Sequence, residues 1–390
     1  MLGKKKKLKD SVLEMFIGPF GSALKNECFV SENDGYCMVY EQKHAIKKSI
    51  NLDNRFITKE KYEELKRFEV GPGDIIMSCR GTVGELFLLP EDAPIGIIHP
   101  SLMKIRVNDN YDKEYFLFLL ENYLKTRANN GTSIKMAIKA KDLANEMFQC
   151  PSIEKQREVV NILNIINDVK ELNIKLLKDL DNLIKSKYYE LFDSIKEKKC
   201  ISDVCEVKAR IGWQGLTKKE YLNSGDYNLI TGTDFTNNHK INFDKCVFVT
   251  KDRYDQDENI QVKNGDILLT KDGTIGKVAI VEDLPRPTTL NSGVFVIRDK
   301  TNGKLLNSYI MYSFLSKRFE QFIELIKTGA TIPHLNQGAL LKYEIAFPNI
   351  EIQKEFETYV KIINVTKNKV LQEIEDLDKL YSVKMHDFFG

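Results

Sequence analysis

"PSIEKQREVVNILNIINDVKELNIKLLKDLDNLIKSKYYELF" runs from Pro151 to Phe192, with no glycine and no proline after its first residue. Val159, Ile162, Ile166, Val169, Asn173, Leu176, Leu180 and Leu183 recur at alternating spacings of three and four, which is the pattern of a coiled-coil seam with one polar member. Pro151 precedes the helix, Ser152 can cap it, and Glu154 in the first turn suits the positive end of the helix dipole. At a rise of 1.5 Å per residue such a helix spans roughly 60 Å.

This stretch has a copy. "PNIEIQKE" begins at Pro348, 197 residues after Pro151, and the offset then holds without a gap to the end of the helix. It pairs Gln156 with Gln353, Ile166 with Ile363, Asn167 with Asn364, Leu180 with Leu377, Leu183 with Leu380 and Phe192 with Phe389. The second seam reads Phe356, Val360, Ile363, Lys367, Val370, Ile374, Leu377 and Tyr381, again with one polar member. Neither apolar stripe is stable in water, so the expectation is an antiparallel pair in which Asn173 and Lys367 fix the register at some cost in stability. The plainer alternative is that each helix packs only on the domain of its own half.

What precedes each helix is also duplicated. "GDIIMSCRGTVGE" (73–85) and "GDILLTKDGTIGK" (265–277) lie 192 residues apart, and "KKLKDSVLE" from Lys6 matches "KKCISDVCE" from Lys198. The glycine-marked stretches read as strand, tight turn, strand, with Arg80-Gly81 and Asp272-Gly273 at the turns. Other short β-rich runs, "CVFVT" and "SGVFVIRD", support a mainly β domain. Amphipathic helical runs follow, "EYFLFLLENYLKTRA" and "NSYIMYSFLSKRFEQFIELI", each leading into a polar loop. The expected architecture is α+β: two mixed, mainly β domains (1–150 and 196–347) alternating with two long helices (151–195 and 348–390) in an internal repeat.

Composition sets outer bounds. The 390 residues are 42% hydrophobic and 29% charged, which argues against disorder and allows two or three domains. No apolar run reaches the length of a membrane span, and the basic start, Lys4 to Lys7, lacks the apolar region of a secretory signal. Those four lysines read as a solvated opening of the first domain. Seven cysteines without a C-x-x-C pair imply reduced thiols and a cytoplasmic setting. The net charge of +2 is small for a protein that binds nucleic acid by itself, so such binding needs local basic patches or help from partners.

Signs of catalysis are sparse. "FIGPFG" at Phe16 resembles a glycine-rich S-adenosylmethionine corner, but the N-P-P-Y or D-P-P-Y loop of adenine methyltransferases does not occur. "DGTIGK" at Asp272 lacks the spacing of a phosphate loop. The five histidines form no H-E-x-x-H pair, and no G-x-S-x-G elbow is present. These readings favour a binding protein with no metal and no cofactor of its own.

The doubled order of "GDIxxxxxGTxG", "P-x-I-E-x-Q-x-E" and the closing "LIKSKYYELF" and "LYSVKMHDFF" resembles the specificity subunit of type I restriction-modification systems over essentially the whole chain. The resemblance implies that each β-rich domain is a target-recognition domain reading one half of a split, asymmetric double-stranded DNA target. It implies that the helices set the gap between the halves and dock two methyltransferase subunits. Those subunits would carry S-adenosylmethionine, restriction subunits with ATP and Mg can join, and this chain would have no catalytic role. Base reading needs side chains that reach groove edges. The candidates are Lys25, Asn26, Arg80, Thr82 and Lys135 in the first domain, and Arg210, Trp213, Gln214, Lys271, Thr274 and His334 in the second. The rival reading is a coiled-coil scaffold whose end domains bind protein or carbohydrate.

Overall fold

The computed structural model describes residues 4–129, 139–211, 215–328 and 334–390. The chain divides into two compact units, Met1–Ile174 with Gln372–Gly390, and Lys175–Leu371. The two long helices, Ile153–Phe192 and Ile350–Phe389, are 40 residues each, and each gives one segment to each unit. Ser152 Oγ accepts from Lys155 N at 3.4 Å and Asn349 Oδ1 from Glu351 N at 2.9 Å, the caps expected at the two starts. None of the helices among the described residues is long and apolar enough to cross a membrane.

The first unit holds two sheets. One has the strand order Val12–Ile17, Leu102–Val107, Ile75–Ser78, Leu86–Leu88, all antiparallel, with Ile75 opposite Ile105. The other runs Arg55–Ile57, Cys37–Tyr40, Gly96–Ile98, Glu69–Val70 and contains one parallel pair, Val39 opposite Ile97. Lys4–Lys7 is a strand paired with Met147–Cys150, so the lysine-rich opening closes the domain through its backbone.

The second unit repeats this plan. Its first sheet has the order Cys205–Ala209, Val294–Asp299, Ile267–Thr270, Val278–Ile280, with Ile267 opposite Ile297. The second sheet has three strands, Val247–Val249, Tyr227–Ile230 and Thr288–Leu290, again with a parallel pair, Leu229 opposite Thr289. The opening strand Lys198–Cys200 pairs with Glu344–Ala346. The helical run after the sheet is not continuous. It breaks into Asn307–Phe314 and Lys317–Thr328, because Ser316 turns its hydroxyl to accept from Phe319 N at 3.3 Å and caps a new helix.

Within each unit the long-helix segments run antiparallel and enter the domain core. In the first unit Lys170 pairs with Asp378 at 2.5 Å and Asn173 donates to Glu373 at 3.3 Å. Val159, Leu163 and Met385 are buried in the same cluster as Ile75, Met103 and Tyr115 of the domain. In the second unit Lys367 pairs with Asp181 at 2.5 Å and Lys187 with Glu355 at 3.1 Å, while Phe192, Phe356, Val360 and Ile363 join the cluster around Tyr309. Helix-on-helix and helix-on-domain packing therefore occur together.

The second seam lies where the spacing places it: Phe356, Val360, Ile363, Lys367 and Val370 are buried, and Ile374, Leu377 and Tyr381 are half-buried. The first is corrected at alternate positions. Val159, Ile166 and Leu180 face inward and Asn173 is half-buried, but Ile162, Val169, Leu176 and Leu183 are exposed, and the inward members are Leu163, Lys170, Leu177 and Ile184. Both phases are apolar at three of these four steps, so spacing alone does not choose between them. The domain core does, because Leu163 and Ile184 fit its clusters. Asn173 is no buried register residue either, since its amide reaches Glu373 at the seam edge.

Candidate nucleic-acid interface

The glycine-marked stretch is a strand pair closed by a seven-residue loop, 79–85 or 271–277, and not by a tight two-residue turn. A hydroxyl at the end of the first strand organises each loop. Ser78 N donates to Glu85 O at 2.8 Å and Glu85 N returns to Ser78 Oγ at 2.9 Å. In the second copy Thr270 N donates to Lys277 O at 2.9 Å, Lys277 N to Thr270 Oγ1 at 2.9 Å, and Thr270 Oγ1 to Thr274 O at 2.5 Å. Gly84 and Gly276, at φ 94° and 91°, supply the left-handed backbone that returns the chain to the sheet.

The strand that leads into each loop is held at its other end by a duplicated clamp. Asp74, fully buried, accepts from Arg106 Nε at 2.6 Å and Nη2 at 2.8 Å, and Gly71 N donates to the same carboxylate at 3.0 Å. Asp266 does the same with Arg298 (2.8 and 2.7 Å) and Lys263 N (2.8 Å). The carboxylates hold both guanidiniums above their ordinary pKa. The glutamine of P-x-I-E-x-Q is a second duplicated device. Gln156, fully buried, accepts from Asp112 N at 2.7 Å and donates to Asn110 O and Pro151 O, while Gln353 accepts from Leu306 N at 2.8 Å and donates to Lys304 O and Pro348 O. Each staples the start of a long helix to the loop entering a domain helix. Sequence reading saw both motifs as markers and missed these roles. The signal was there, in polar residues repeated inside otherwise apolar framework.

On this common frame the loop surroundings differ. In the first domain Gln42 Nε2 donates to Arg80 O at 2.8 Å and Thr82 O at 2.9 Å, so the side chains of Arg80 and Thr82 are exposed on a pinned backbone. Arg80 lines a cleft of about 620 Å³ with Arg67, Phe16, Phe68 and Phe20, of which Arg67 and Phe20 were not foreseen. Lys25 is exposed, with Glu27 3.8 Å away, and Asn26 accepts from Arg55 at 3.3 Å, beside the Arg55–Phe29 stack. Burial and the nearby Arg55 and Arg80 hold His99 below its ordinary pKa, against the pull of Glu41, and its Nδ1 is 2.8 Å from Ser101 Oγ.

In the second domain Leu335 N donates to Lys271 O at 3.0 Å and His334 pairs with Asp272, so Lys271, Thr274 and His334 come together at one loop. The Lys271 ammonium lies 5.2 Å from the Phe295 ring centroid. Arg210 is not a surface reader. It is 1% exposed, donates to Leu290 O at 2.9 Å, Thr289 Oγ1 at 3.1 Å and Gln256 Oε1 at 3.3 Å, and is held below its ordinary pKa by burial and by Arg253. Its place in the first domain is taken by Gly18, where a Cβ would come within 2.4 Å of His99 O. Lys135, Trp213 and Gln214 lie outside the described residues. Among the described residues no cluster of three or more metal-ligating side chains converges.

Comparison with known proteins agrees with this duplicated frame. The type I restriction modification DNA specificity domain matches twice, over residues 23–185 and 194–376. The chain is 23% identical over 343 residues to the specificity subunit of the type I restriction enzyme MjaVIII of Methanocaldococcus jannaschii, covering 80% of this chain and 78% of that one. Its fold is similar to a chain from a study of the assembly and conformational transition of the type I system (TM-score 0.66, 15% identity, 100% and 98% coverage). It is also similar to the type I S subunit of M. genitalium (TM-score 0.53, 14% identity, 99% and 96% coverage). Two matches to one domain family, which together cover most of the chain, place it in the type I restriction-modification DNA specificity family, as a specificity subunit with two such domains.

Proposed function

We propose that residues 1–150 and 196–347 each read one half of a split, asymmetric DNA target, and that the two long helices set the gap between the halves. The observation that carries this reading is the contrast between a clamp repeated atom for atom, Asp74–Arg106 and Asp266–Arg298, and loops whose surroundings are unlike. Identical frames hold the readers in the same way, and different side chains on them select different bases. In the first half the readers are Arg80 and Thr82 on the pinned loop, together with Lys25 and Asn26. In the second they are Lys271, Thr274 and His334. Lys135, Trp213 and Gln214, outside the described residues, are candidate readers by sequence alone.

The chain holds no catalytic group in this reading. Two methyltransferase subunits dock on the helices, bring S-adenosylmethionine and methylate adenine, and restriction subunits with ATP and Mg complete the nuclease. Exposed apolar side chains on the long helices, among them Leu172, Ile362 and Val365, support such docking. With only +2 net charge, the chain relies on those partners for part of the phosphate neutralisation. The test is to exchange residues 1–150 for the corresponding part of another specificity subunit, assemble the complex, and map N6-methyladenine by single-molecule sequencing. One half of the motif changes and the other stays. A change in both halves overturns the modular reading.

A further inference from the structure

Phe20 is the most exposed large apolar side chain described, at 83%. Its backbone is fixed on both sides. Gly18 N donates to Leu102 O at 2.9 Å, and the glycine is packed so closely on the strand end that no side chain fits there. Pro19 follows, and Ala23 N donates to Phe20 O at 2.8 Å to close a turn anchored by buried Leu24. A rigid turn thus holds an aromatic ring in water, where its burial contributes nothing to folding and stays available to a partner. A fixed ring loses little entropy when it packs on a partner.

Its neighbours indicate the partner. Arg67 and Arg80 line the same cleft. The other arginines of this domain are tied up: Arg55 to Glu41, Arg106 to Asp74 and Arg127 to Glu146. Arg67 and Arg80 form no ion pair with any described residue, and the Arg67 guanidinium carbon lies over the Phe68 ring, 4.4 Å from its centroid. Two guanidiniums without a carboxylate partner, beside an exposed ring, match a major-groove edge, where guanine offers O6 and N7 to arginine and thymine offers its methyl group to an apolar side chain.

Resting on the bipartite reading above, we propose that Phe20 is a specificity-determining residue that packs on a thymine methyl group in the first domain's half-site, with Arg67 and Arg80 flanking it on the same groove edge. The probe is deoxyuridine, which pairs like thymidine and lacks only that methyl. The methyltransferase complex is assembled with the full chain, and its motif is mapped. Each thymine in the half assigned to residues 1–150 by domain exchange is then replaced singly, and methylation rate is measured at subsaturating DNA.

The wild type loses about fourfold at one thymine, the value of one methyl group kept from water. Phe20→Ala shows the lower rate with thymine and no further loss with deoxyuridine, and Phe20→Leu keeps part of the difference. Because the ring is exposed, Phe20→Ala folds, which its melting temperature checks. A half-site without thymine, deoxyuridine sensitivity that survives Phe20→Ala, or an equal loss on every duplex overturns the proposal. A wild-type complex that methylates no split motif instead overturns the bipartite reading itself.

Discussion

Asp74 and Asp266 are buried, and each binds a partly exposed guanidinium through both oxygens. Water reaches the arginine left behind, whose side chain is 42% exposed in Arg106 and 21% in Arg298, so removing the carboxylate loses two charge-assisted hydrogen bonds without stranding a buried charge, at about 1–2 kcal/mol. Asp74→Ala should therefore loosen the first unit alone, and Asp266→Ala the second alone, as amide hydrogen exchange in Leu102–Val107 or Val294–Asp299 would report. His99 gives a pH signature. Its folded pKa lies below the unfolded value of about 6.5, so the unfolded chain binds the proton more readily. The stability it contributes is present above pH 6.5 and declines as pH falls toward the folded value. Thermal melts at pH 7.5 and 5.5 should show a smaller loss in His99→Gln than in the wild type. Arg210 marks the limit of reading at this scale. "ARIGWQG" looks like a basic surface loop, and only tertiary packing reveals that Leu290 and Thr289 surround the guanidinium.

Along the long helices, the cross-helix pairs Lys170–Asp378 and Lys367–Asp181 are images of each other under the internal repeat, at the helix offset of 197. Their burial is uneven: the Lys367 side chain is 11% exposed and that of Asp181 49%. Asp181→Ala strands a desolvated ammonium and should lower the melting temperature of the second unit, at about 1–3 kcal/mol. Lys367→Leu leaves a carboxylate that water can reach and should be neutral or slightly stabilising. The opposite ranking by calorimetry would contradict this account of the seam. Helix existence and extent were legible because a 40-residue window averages out local noise. Seam phase was legible only where neighbours differ. Ile162–Leu163, Leu176–Leu177 and Leu183–Ile184 carry either phase, and the domain clusters decided between them.

For the whole molecule, repeat order was the strongest signal, since duplicated motifs at near-constant offsets report a common frame whatever the loops do. The reading surfaces were legible by region and hardly by residue, because side-chain exposure depends on the second sheet and on clamps such as Gln42 and His334 that sequence proximity does not reveal. One expected outcome belongs to this scale. The isolated chain, incubated with S-adenosylmethionine and duplex DNA, should transfer no methyl group. The same chain mixed with its methyltransferase subunits should modify a split motif, and methyl incorporation by the lone chain would refute the division of labour.

Met385 and Phe389 pack into the first unit, the latter against Tyr115 with ring centroids 5.2 Å apart, yet they are synthesised only after every residue of the second unit. On the ribosome the earlier-made domain must therefore wait, with an open apolar face, until its neighbour has been completed. A stop codon placed at residue 372 should accordingly harm the portion of the protein farthest from the cut in sequence. Limited proteolysis would show the amino-terminal fragment nicked first, while the fragment bordering the truncation resists.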